Sequence, residues 1–132
     1  MAAFRKRITP NVKNAGFEID WQASIDDISA DYRPRDLLQI FRILQEAVTN
    51  ALKHSGGDKI DIIAGPSDAP EFVWQIQVID DGIGFNARKG RGRGLGNMDV
   101  RADSIGAKLT VLDGQTGTIV KLDLPEISQE PR

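Results

Sequence analysis

Glu46 and Asn50 stand four residues apart, and Lys53 and His54 follow one turn further along a segment whose apolar residues recur at helical spacing. Residues four apart share a helix face, so a carboxylate, an amide oxygen and an ammonium line one stripe about two turns long. Mg²⁺ prefers oxygen ligands and shares them with water and phosphate, so Asn50 can supply one oxygen to such an ion. Taken alone, the same stripe reads first as the solvated face of an amphipathic helix.

Asp80-Asp81-Gly82-Ile83-Gly84 poses a sharper question. Phe72, Trp74, Ile76 and Val78 alternate as the buried face of a strand, and the period of two carries that face on to Asp80. A carboxylate continuing a row of core residues is costly without a partner. With Gly82 and Gly84 leaving room for a flat ring, Asp80 can accept a hydrogen bond from an exocyclic amine such as that of adenine. The competing reading is a turn aspartate ahead of Gly82.

Residues 82–96 hold six glycines, with Arg88, Lys89, Arg91 and Arg93 among them, and end in Gly92-Arg-Gly94-Leu95-Gly96-Asn97-Met98. The spacing differs from the dinucleotide-binding fingerprint, and no phosphate-binding loop with Gly-Lys-Ser or Gly-Lys-Thr occurs in the chain. A glycine-rich lid entering a helix remains, and helix N-termini attract phosphate. Taken together and in order, the three segments suit a magnesium-bound triphosphate. His54, the single histidine, reads as a helix-end residue rather than a metal ligand.

These groups require particular elements to hold them. Pro34 opens the longest helix, about 34–54, closed by Gly56-Gly57, with Leu37, Phe41, Leu44, Val48, Ala51 and Leu52 on its apolar stripe and Arg42, Glu46, Thr49, Asn50 and Lys53 opposite. Alternation predicts strands over residues 17–23, around 60–64 and around 72–80, and a final hairpin from strands near 107–113 and 117–124. Leu95, Met98, Ala102 and Ile105 give another helical stripe, ended by Gly106. Pro10 interrupts the helical spacing of Phe4, Ile8 and Val12, which predicts a short or broken helix. The expected fold class is α/β: a two-layer sandwich in which helices cover one face of a five-stranded mixed sheet.

Composition fits this design. The 132 residues suffice for one core and bury about two thirds of the unfolded chain's surface. Hydrophobic residues at 40% and a net charge of -2 disfavour nucleic acid as a partner. The absence of cysteine excludes disulfides and thiolate metal sites and fits a reducing compartment. No apolar run reaches membrane-spanning length, so no membrane contact is expected of this domain.

In this order the segments resemble the motifs of the Bergerat-fold ATPases, the superfamily of gyrase, the heat-shock chaperone, the mismatch-repair ATPase and the sensor histidine kinases. The resemblance is strongest to the catalytic ATP-binding domain of two-component kinases. Glu46-x-x-x-Asn50-Ala-Leu-Lys53-His54 looks like their N box, Asp80-x-Gly82-x-Gly84 like the first glycine box, and Gly92-x-Gly94-Leu95 like the second. The run Gly94-Leu95-Gly96-Asn97-Met98-x-x-Arg101-Ala102, with a short lid, is similar to the nitrate-sensor and degradation-sensor subfamily.

The resemblance implies that Asn50 binds Mg²⁺, that Glu46 polarises the attacking group, and that Lys53 and His54 touch phosphate. It further implies that Asp80 reads the adenine amine with Thr118 beside it through water, while the lid glycines close over ATP. These kinases carry the phosphoacceptor histidine on a separate helical dimerisation domain, which this chain lacks. The expectation is therefore one catalytic domain over 1–132, with 1–16 as a linker or partial helix from a preceding domain. Its partners would be ATP, the dimerisation domain and, indirectly, a response regulator. The setting would be cytoplasmic, whether or not the parent protein is a membrane-bound sensor. Two other readings remain: a stand-alone serine kinase of the anti-sigma-factor type, and a non-catalytic nucleotide-sensing module.

Overall fold

The computed structural model describes residues 2–23, 32–54, 56–82, 93–113 and 117–126. The elements run α1 (Ala2–Asn14), β1 (Glu18–Ala23), α2 (Pro34–His54), β2 (Lys59–Pro66), β3 (Trp74–Asp80), α3 (Arg93–Ser104), β4 (Lys108–Asp113) and β5 (Thr118–Leu124). The five strands form one sheet in the order β1-β2-β3-β5-β4. β1 and β2 are parallel, as a connection through α2 allows, and the remaining pairs are antiparallel. The mixed sheet with helices is therefore as expected.

One face of the sheet is apolar because the strands alternate. Ile60, Ile62 and Ala64 of β2, Ile76 and Val78 of β3, and Val120, Leu122 and Leu124 of β5 are buried in a single core with Met98, Ala102 and Ile105. Against them α2 buries Ile40, Ile43, Leu44, Ala47, Val48 and Ala51. Its stripe is broader than the expected one: Leu37, Phe41 and Leu52 lie at its margin, only partly buried. At the start of α2, Pro34 takes the first helical position and the Arg33 carbonyl accepts from the Leu37 N–H at 2.9 Å. Tyr32 ties this end to the residue that follows β5, its hydroxyl donating to the Pro125 carbonyl at 2.7 Å.

Three boundaries depart from expectation. The helix α1 runs through Pro10 without a break. Pro10 is exposed, so water can meet the carbonyl whose intrahelical donor it removes, while Ile8 and Val12 anchor the other face in the core. The third strand begins at Trp74, which leaves Phe72 in the preceding turn. Finally, α3 begins at Arg93, so Gly94, Leu95 and Gly96 belong to its first turn rather than to a loop. At its other end Gly106, at φ 70°, closes the helix as the Ala107 N–H reaches back to the Ala102 carbonyl at 2.9 Å. Among the described residues no helix is long and apolar enough to cross a membrane.

Candidate functional site

Asp80 is the last residue of β3, paired across the ladder with Ile60. Alternation from Ile76 and Val78 turns it toward the helix-covered face, and it is 5% exposed. Its Oδ1 accepts two backbone N–H groups, from Gly82 at 2.9 Å and from Thr118 at 3.3 Å. The first is an Asx turn and the second comes from the neighbouring strand β5. Asp80 is thus both the turn aspartate and the buried carboxylate that the sequence left as alternatives.

Gly117, just before β5, and Thr118, its first residue, shape the space around it. A side chain at Gly117 would put a Cβ 2.7 Å from Asp80 Oδ1, closer than real Cβ contacts occur, so only glycine lets the two strands meet here. Beside it Thr118 is 1% exposed, and its Oγ1 has no hydrogen-bond partner among the described residues. A buried hydroxyl left unpaired costs about 1–3 kcal/mol. Natural interiors seldom tolerate that unless a ligand or water completes the site. A carboxylate next to a hydroxyl that can donate is a pairing that reads an amine and a ring nitrogen on a flat heterocycle.

On α2, Glu46 and Asn50 lie half-buried on one helix face, and Lys53 is exposed one turn beyond. Among the described residues neither Glu46 nor Asn50 has its side chain engaged in a hydrogen bond or ion pair. That fits Asn50 as an oxygen ligand for a cation, and no group of three or more His, Cys, Asp or Glu offers an all-protein metal site among the described residues. His54 is the last residue of α2. Gly94, Leu95 and Gly96 lie at the N-terminus of α3, where backbone N–H groups lack intrahelical partners. Gly84 and Gly92, and with them most of the expected lid from Phe85 to Gly94, fall in residues 83–92, outside the described residues.

One residue escaped the sequence reading. Asp81 Oδ1 accepts the backbone N–H of Asp58 and of Lys59, each at 2.9 Å, which joins the α2–β2 turn to the end of β3. Burial pushes the Asp81 carboxyl up, but the N–H groups of Lys59 and Asp58 outweigh it and hold the group below the ordinary carboxylate range. The Asp58 carboxyl is raised in turn, first by its hydrogen bond to Asp81 and then by the charge of Asp81.

Over residues 35–128 the chain matches the family model for the histidine kinase-, DNA gyrase B-, and HSP90-like ATPase, and it belongs to that family of ATP-binding domains. It is 38% identical over 100 residues to the sensor protein NarQ homolog of Haemophilus influenzae, a match covering 74% of this chain and 17% of that protein. It is 31% identical over 122 residues to the sensor histidine kinase LiaS of Bacillus subtilis, covering 89% of this chain and 32% of that one. The chain therefore spans a third or less of the length of these two relatives. Among solved structures, the blue-light activated histidine kinase EL346 of Erythrobacter litoralis superimposes with a TM-score of 0.71. That likeness covers 96% of this chain and 42% of the other at 23% identity, and at that level it concerns the fold.

Proposed function

We propose that this chain is the ATP-binding catalytic domain of a sensor histidine kinase. In this reading it binds Mg·ATP and delivers the γ-phosphoryl group to a histidine on a separate helical dimerisation domain, from which a response regulator is served. The observation that carries the reading is the Thr118 hydroxyl, without a partner among the described residues, held beside the buried Asp80 carboxylate, a polar cradle at the end of an otherwise apolar sheet face.

Each site residue has a role under this proposal. Asp80 accepts the adenine amine, and Thr118 completes the base contact. Asn50 supplies an oxygen to Mg²⁺, which when bound neutralises phosphate charge. Lys53 and His54 contact phosphate, as do the backbone N–H groups of Gly94, Leu95 and Gly96. Gly82, Gly84 and Gly92 let backbone approach the nucleotide, and Glu46 polarises the attacking imidazole. Phosphoryl transfer demands mainly positioning and charge stabilisation, and this set offers both. The domain works on the cytoplasmic side.

Calorimetry with Mg·ATP and Mg·GTP tests the base contact. The wild-type chain should prefer ATP, and Asp80→Asn should weaken ATP binding by about 1.5–3 kcal/mol, the worth of a hydrogen bond to a charged group. Equal affinity in a folded mutant would remove Asp80 from the site. Transfer is tested by adding the helical dimerisation domain of a related sensor kinase: acid-labile phosphate on that domain supports the proposal, and acid-stable phosphate on serine would favour a serine kinase.

A further inference from the structure

We propose that Asp81 is a positioning residue of the nucleotide pocket, acting through the α2–β2 turn rather than through the ligand. This inference rests on the function proposed above. The β2–β3 ladder ends at the pair Ile60 and Asp80. The next pair in register would be Lys59 with Asp81, but β3 stops at Asp80 and the chain turns at Gly82 under the Asp80 carboxylate. The Lys59 N–H, which a further rung would have engaged, is instead taken by Asp81 Oδ1, which also takes the N–H of Asp58. The side chain thereby replaces the missing backbone rung.

The replacement has a consequence for the pocket. Asp80 and Gly82, both assigned to the nucleotide, flank the residue that is pinned, so fixing Asp81 fixes the backbone that aims them. The other side of the pin is equally close: a Cβ at Gly57 would lie 2.8 Å from the Gly82 nitrogen. The carbonyl of Asp58 in turn accepts the Glu18 N–H at 2.9 Å, so the pinned turn is anchored to β1 as well. Lys53 and His54 end the helix just before this turn. Asp81 therefore links the end of the helix that carries the phosphate contacts to the strand end that carries the base contact.

The acceptor role needs an oxygen and not a charge, which separates it from an electrostatic effect on the ligand. Asp81→Asn keeps Oδ1 and should bind Mg·ADP within about threefold of wild type, whereas Asp81→Ala should bind roughly tenfold more weakly, for two lost hydrogen bonds. Both are measured by calorimetry well below the unfolding temperature. Reciprocity supplies a measurement on the wild-type chain that needs no variant: Mg·ADP should slow hydrogen exchange at the amides of Asp58 and Lys59.

If the wild-type chain binds no nucleotide, the proposed function and this inference fall together. If it binds and Asp80→Asn weakens it, but Asp81→Ala matches wild type, only the positioning role is overturned. Asp81→Asn as impaired as Asp81→Ala, or exchange at Asp58 and Lys59 unaltered by nucleotide, would overturn it too.

Discussion

Replacing Thr118 with valine should move stability and nucleotide affinity in opposite directions. The exchange keeps the branched shape and the backbone N–H that donates to Asp80 Oδ1 at 3.3 Å, and it removes only the hydroxyl. Thr118 is 1% exposed, and its buried hydroxyl has no partner among the described residues. An unpaired buried polar group costs about 1–3 kcal/mol, so Thr118→Val should stabilise the free protein by about 1 kcal/mol even after imperfect packing of the new methyl. For a domain of this size that raises Tm by roughly 3–5 °C. With Mg·ADP the sign reverses: the lost hydrogen bond of about 0.5–1.5 kcal/mol should weaken binding by roughly two- to tenfold. Scanning calorimetry with and without Mg·ADP reads both effects, because the nucleotide-induced rise in stability shrinks by about 1.4 kcal/mol for a tenfold loss of affinity at saturating ligand. A lower Tm for the free variant would show that the hydroxyl is already satisfied in the empty pocket. An undiminished nucleotide-induced shift would show that no ligand atom uses it.

Three further outcomes follow from the structure. Asn50→Ala should lose magnesium-dependent nucleotide affinity, while Glu46→Gln should bind Mg·ATP nearly normally and transfer phosphoryl to an added dimerisation domain far more slowly; equal transfer rates for Glu46→Gln and wild type would exclude Glu46 from the chemistry. Because the Asp81 carboxyl is held below its ordinary value in the folded chain, its contribution to stability is present above the unfolded pKa and disappears as pH falls through the lower, folded one, whereas the raised Asp58 contributes in the opposite sense, fully at low pH and less as pH rises through its folded value. In Asp81→Asn the Asp58 titration, followed by carboxyl ¹³C shifts, should move down toward the ordinary carboxylate value, and an Asp58 that stays raised would break the assignment of its partner. Pro10→Ala should raise the unfolding free energy by about 1–3 kcal/mol in urea, since Pro10 occupies an exposed position inside a helix, and no gain would mean that α1 contributes little to the cooperative fold.

The polar side of the sheet illustrates a part of the fold that only assembly creates. Asp123 is 3% exposed on the face away from the helices, and its Oδ1 accepts from the Ser67 hydroxyl at 2.7 Å and from Gln75 Nε2 at 2.9 Å. Gln75 also donates to Asp68 at 3.1 Å and accepts from Gln77 Nε2 at 2.7 Å. Gln75, Gln77 and Asp123 sit at alternating polar positions of β3 and β5, which a period of two assigns to solvent, and Ser67 and Asp68 reach them from the turn after β2. Their mutual hydrogen bonds satisfy them and let the face close over them.

The local patterns determined much of this protein. A 3.6-residue period marked α2 with the right ends, because Pro34 and the glycines after His54 act within a turn of the helix. The period of two marked the strands and carried Asp80 on to the buried face, because alternation is a property of the extended backbone itself. Motif order then pointed to the ATPase family, whose model matches residues 35–128. Pairings between distant segments were decided by the tertiary structure. Nothing near Gly117 in the sequence announces that its Cα meets the backbone of Asp80, nor that the Thr118 hydroxyl closes beside it with no partner among the described residues. Asp81 reads as one more polar residue in a turn until the β2–β3 register sets it opposite Lys59, where its side chain stands in for a strand. Helix α1 survives Pro10 for the same reason: the anchoring of Ile8 and Val12 in a core built by distant strands outweighs a local preference worth about 3 kcal/mol. Local sequence fixes which face a residue shows, and long-range packing fixes what that face meets.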